Sequence, residues 1–91
     1  MERIVGPVLG FYLACYSVEA EEGHYGYVKI YAEKVKSPWD TRRVAAKLAA
    51  GPCPTGGGAI EAVSRRAAER LVARDAALRG RNPWRRTLPG A

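Results

Sequence analysis

The stretch from Thr55 to Arg79 constrains the fold more than any other part of the chain. Ile60, Val63, Ala67, Leu71 and Leu78 recur at spacings of three, four, four and seven, which draws one apolar stripe along a helix of 3.6 residues per turn. A stripe of that kind has to be buried, so the rest of the chain must supply an apolar surface to lie under it. Thr55 is placed to cap the helix, its hydroxyl accepting from the free amides of the first turn, and Gly80 stands where a left-handed C′ residue closes a helix before Pro83. The run Gly56-Gly57-Gly58 weakens the first turn, which puts the ordered helix at about residues 57–79. Glu61 with Arg65 and Asp75 with Arg79 are acid-first i,i+4 pairs that support the exposed side.

The covering surface is found upstream. Residues 8–19 and 24–36 are rich in β-branched and aromatic side chains and flank Ala20-Glu21-Glu22-Gly23, a polar turn ending in glycine, so they predict an antiparallel hairpin. An even loop, with Glu22-Gly23 or Glu21 to His24 at its tip, puts Phe11, Leu13 and Cys15 on one face with Val28, Ile30 and Ala32. The other face then collects Tyr12, Tyr16, Tyr25, Tyr27 and Tyr31 around Lys29. The aliphatic face is expected under the helix.

Residues 38–50 fit two templates. Ser37-Pro38-Trp39-Asp40 resembles a helix start, the alanines that follow suit a helix, and Gly51-Pro52 would stop it. Val44, Ala46, Leu48 and Ala50 alternate as an edge strand does, and a lone two-stranded hairpin needs a third element. The balance tilts slightly to helix. Both outcomes are α+β folds with an antiparallel sheet. At 91 residues there is one core, so residues 1–80 form a single small domain and 81–91, with two prolines and one glycine, read as a mobile basic tail. Alanine inflates the 47% apolar content without adding much buried area, and a core that thin is commonly completed by a second copy.

The net charge of +6 is not evenly spread. Residues 1–64 carry seven basic and seven acidic side chains, whereas residues 65–91 carry eight arginines against Glu69 and Asp75. Arg66, Arg70 and Arg74 form a like-charge i,i+4 row that needs a reason. One reason is nucleic acid: Arg65, Arg66, Arg70, Arg74, Arg79, Arg81, Arg85 and Arg86 offer phosphate forks, and Trp84 a stacking ring. Another is the helix macrodipole, which favours cations near the C-terminus. The tyrosine face is the other candidate surface, with Tyr12, Tyr16, Tyr25, Tyr27, Lys29 and Tyr31 suited to association with a second copy or to base stacking.

No catalytic arrangement is legible. Gly51 to Gly58 lacks the Lys-Ser/Thr ending of a phosphate loop, His24 is the sole histidine and is expected in water at a hairpin tip, and Cys15 and Cys53 are too few for a zinc site and poorly placed for a disulfide. The uncharged run from Ile4 to Val18 is too short to span a bilayer, and Tyr12 stands where a lipoprotein cleavage site wants leucine, so the run predicts a buried strand. The expectation is a soluble, cytoplasmic, non-catalytic homodimer with no cofactor, metal or membrane partner. A weak, sequence-indifferent nucleic-acid binder is the alternative.

Overall fold

The computed structural model describes residues 1–80, so Arg81, Trp84, Arg85 and Arg86 of the expected tail lie outside the described residues. Four strands, β1 (Glu2–Val8), β2 (Phe11–Ala20), β3 (Gly23–Tyr31) and β4 (Ala46–Cys53), precede one helix, α1 (Gly56–Gly80). The sheet runs β1-β2-β3-β4 with every neighbour antiparallel, and α1 lies across one face of it. This is the α+β architecture with an antiparallel sheet that the sequence implied, with the expected hairpin as the two central strands.

The hairpin has the expected parity and a different tip. Leu13 pairs with Ile30, Cys15 with Val28 and Tyr16 with Tyr27, and Ala20 faces Gly23, leaving Glu21-Glu22 as the two-residue turn. Gly23, next to the turn, takes φ +138° and also has no room for a side chain: a Cβ there would sit 2.8 Å from the Cys53 carbonyl oxygen of β4.

Three local readings are corrected. Residues 38–50 are not a helix: 46–50 open strand β4, and the alternation of Ala46, Leu48 and Ala50 is what faces α1. A strand here satisfies the outer ladder of β3, whereas an alanine helix would bury little and leave that ladder unpaired. Ser37-Pro38-Trp39-Asp40 still makes cap-like bonds, with Trp39 N–H donating to Ser37 Oγ at 3.2 Å and Asp40 N–H to the Ser37 carbonyl at 3.3 Å, but they close a turn in the loop. Gly51-Pro52 does not end a helix; it lies inside β4, where the ladder slips between His24 and Gly26 and Gly51 takes φ +119°. The run from Ile4 to Val18 is two strands rather than one, folded at Leu9-Gly10, both at positive φ (50° and 84°). That is a primed two-residue turn, unusual in having leucine at its first position.

Gly6-Pro7 in β1 marks a second slip of the ladder, between Val5 and Val8. Both outer strands therefore carry a Gly-Pro irregularity, which bends them and removes an amide donor from each open edge.

The core is thin and continuous. Ile60, Val63, Ala67 and Leu71 of α1 pack on Leu13, Cys15, Val28 and Ile30, with Val5, Val8, Phe11, Ala46, Leu48 and Ala50 closing the sides. Close approach depends on Gly26, where a Cβ would stand 2.1 Å from the Ala59 carbonyl oxygen. Thr55 caps as expected, its Oγ1 accepting from Gly58 N–H at 3.0 Å. At the other end the helix runs through Gly80 and departs from the expected stripe: Leu78 is 52% exposed. The sheet has ended by then, and the turns from Val72 onward project about 14 Å past the last buried residue at 1.5 Å per residue.

Truncating Ile60 to alanine is expected to cost about 2–5 kcal/mol. Leu78→Ala should stay within about 0.5 kcal/mol. Urea denaturation of the two variants decides it, and an equal loss in both would mean that the projecting turns are part of the core.

Candidate interaction surfaces

Pleat alternation sends Tyr12, Tyr16, Tyr25, Tyr27, Lys29 and Tyr31 to the face away from α1, as the sequence implied. That face is not bare. Residues 32–45 fold back over one end of it, and Tyr31, fully buried, forms a second small cluster with Ala14, Val35 and Val44. The Tyr31 hydroxyl donates to the carbonyls of Pro38 (3.4 Å) and Asp40 (3.2 Å), and burial, then the Asp40 charge, push its ionisation upward. Tyr31 thus holds the loop down and is removed from any contact surface.

The same loop delivers a residue that the sequence reading did not place at the site. Trp39 lies against Tyr16 with ring centroids 4.7 Å apart, Tyr16 stacks on Tyr27 at 5.3 Å, and the Lys29 ammonium sits 4.8 Å from the Trp39 ring centroid. Trp39 Nε1–H donates to Glu2 Oε1 at 2.7 Å, which ties the loop to the opposite edge of the sheet. The result is a row of packed rings with Trp39 still 59% exposed, flanked on the same face by exposed Ile4 and Val18. Tyr25 and Tyr12 stand at the two ends, half-buried, and the Tyr25 hydroxyl donates to Glu22 Oε1 at 3.3 Å. The only sequence signal for Trp39 was a large apolar ring in a polar turn after the hairpin.

The arginines belong to the other layer. Arg65 pairs with Glu61 (3.5 Å) and Arg79 with Asp75 (2.9 Å), both exposed and worth little individually. Arg66 donates to the Ala49 carbonyl on edge strand β4 at 3.2 Å, and the Arg74 guanidinium lies 5.4 Å from the Phe11 ring centroid. Arg70 stands between them at the rim of an apolar slot lined also by Phe11, Ile30, Ala46, Leu71 and Arg74. The like-charge row therefore has local partners at Arg66 and Arg74. It does not converge with the tyrosines, because the sheet separates them.

His24 is also corrected: it is half-buried, opposite Glu19 and Cys53 in the ladders, rather than free at a tip. A Cβ on Gly56 would meet Ser17 Oγ at 2.9 Å and His24 Nδ1 at 3.7 Å, so both side chains abut the start of α1. Cys15 and Cys53 are free thiols. Burial, opposed weakly by Arg3, pushes the Cys15 thiol up to about 11. Among the described residues no three His, Cys, Asp or Glu side chains gather as a metal site, and no helix is long and apolar enough to cross a membrane. No protein-family model matches the chain, and no curated protein or solved structure is significantly similar to it.

The neutral Cys15 thiol is favoured by folding, so its contribution is intact below the unfolded value of about 9 and falls away as pH rises from there towards 11. Melting temperature should drop across that window, and Cys15→Ala should flatten the drop. In native protein at neutral pH a thiol-reactive dye should label Cys53 and spare Cys15; equal labelling would contradict the packing.

Proposed function

We propose that the chain is a small non-catalytic module that associates with a second copy of itself through the sheet face opposite α1. What supports the reading is the ring row of Trp39, Tyr16 and Tyr27 with Ile4 and Val18 beside it, an aromatic and aliphatic patch that the chain's own helix does not cover. Both sheet edges are broken by Gly-Pro, which disfavours edge pairing and leaves face-to-face contact. A cytoplasmic location and the absence of a cofactor belong to the same proposal.

Weak, sequence-indifferent binding of nucleic acid is the second reading. It rests on the arginines of α1 and the residues after Gly80. Four of the five described helix arginines already have partners within the chain, which is why this reading ranks second.

Sedimentation equilibrium should give about twice the 9.9 kDa chain mass, and Tyr27→Glu should halve it while leaving the circular dichroism spectrum unchanged. A wild-type mass of one chain at high protein concentration, or a Tyr27→Glu protein that keeps the doubled mass, would discard the tyrosine interface. If nucleic acid were the target, replacing Arg66, Arg70 and Arg74 by glutamine would flatten the salt dependence of retention on immobilised DNA; an unaltered slope discards that reading.

A further inference from the structure

Where α1 runs off the sheet it leaves a slot between its underside and the strand ends. The slot has a volume of ≈ 150 Å³, with Phe11, Ile30, Ala46 and Leu71 inside and Arg70 and Arg74 at the mouth. A cavity of that size admits one benzene-sized group, well below what a drug-sized ligand needs. Arg70 and Arg74 are one helical turn apart, so their guanidinium groups flank the entrance. Arg74 keeps its place over the Phe11 ring, while Arg70 has no ion pair or hydrogen bond among the described residues. The larger groove elsewhere, ≈ 450 Å³ beside Tyr31, Arg42 and Arg43, is of mixed charge: Glu33 lies in its lining, and Arg42 pairs with it at 3.6 Å and with Asp40 at 3.8 Å and donates to the Lys34 carbonyl. The slot joins apolar volume to positive charge with no acid in its lining.

We propose that this slot docks an acidic peptide segment of a partner protein, taking one bulky apolar side chain inside and the neighbouring carboxylates on Arg70 and Arg74. Two observations select that occupant. The volume suits a single side chain, and the charge at the rim is of one sign, which favours a carboxylate-bearing segment and disfavours a basic one. The site lies on the helix side of the sheet, so it is separate from the face assigned to self-association and does not depend on it.

The test is heteronuclear NMR of the full chain titrated with the peptide acetyl-Asp-Glu-Leu-Phe-Glu-Asp-amide. Amide shifts should change at Phe11, Ile30, Ala46 and Leu71. The neutral peptide with Asn and Gln in place of the acids, and the acidic peptide with Ala-Ala at its centre, should each move them far less. Arg70→Gln with Arg74→Gln should weaken the acidic peptide roughly fivefold, more at low than at high salt. Ala46→Leu, which fills the slot without touching the charge, should weaken it too while keeping a folded spectrum. Shifts produced equally by the neutral peptide, shifts confined to the tyrosine face, or none at millimolar peptide would overturn the proposal. So would octanoate reproducing the shifts when the peptide does not, which would make the slot a site for free amphiphiles, and slot shifts that grow with protein concentration alone, which would make the occupant a second copy.

Discussion

The fold depends on one contact, the seating of the Ile60-Val63-Ala67-Leu71 stripe on Leu13, Cys15, Val28 and Ile30, and that contact depends on backbone meeting backbone at Gly26. A helix is about 10 Å across, whereas four strands at about 4.8 Å spacing span nearly twice that, so a single helix covers only the middle of one sheet face. The side strands have to finish the job with half-buried groups, Val5 and Val8 on one flank and Ala46, Leu48 and Ala50 on the other. Among the described residues the opposite face has no helix. Residues 32–45 supply a partial second layer, pinned by the Tyr31 hydroxyl at one end and by the Trp39 indole at the other.

Charge follows the same axis. Gly56 starts α1 beside Ser17 and His24, at the end of the sheet where Glu19, Glu21 and Glu22 cluster around the hairpin turn. Of the five described helix arginines, Arg65 and Arg66 stand before the midpoint of α1, Arg70 and Arg74 beyond it, and only Arg79 in the last turn. The macrodipole acts on the terminal turns, so it gives a structural cause for the acids beside the start of α1 and for Arg79. It does not account for Arg70 and Arg74 framing an apolar opening.

The parts legible in the sequence were those set by short periods. The stripe of α1, the Thr55 cap and the parity of the central hairpin all follow from spacings of two, three or four residues, and the structure keeps them. Periodicity told which side of the helix is buried but not where the sheet stops, so Leu78 has the right phase and no surface to meet. The turn at Leu9-Gly10 was hidden because leucine rarely takes positive φ. In residues 38–50 local signals conflicted, and the unpaired ladder of β3, a non-local demand, decided for strand. Trp39 at the candidate site was the hardest to see, since its place is set by Glu2, separated from it by 37 positions in the chain.

The projecting end of α1 divides one element into two regimes. Up to Leu71, and one turn further through Arg74 on the Phe11 ring, α1 is held by the sheet; beyond Arg74 the turns rely on their own ladder and on the Asp75–Arg79 pair, and helices supported only by such local terms melt readily. Order there is decoupled from order in the domain. A tag, a crosslink or a fused module joined at that end would be carried on a lever that can unwind or stiffen while the sheet beneath registers nothing.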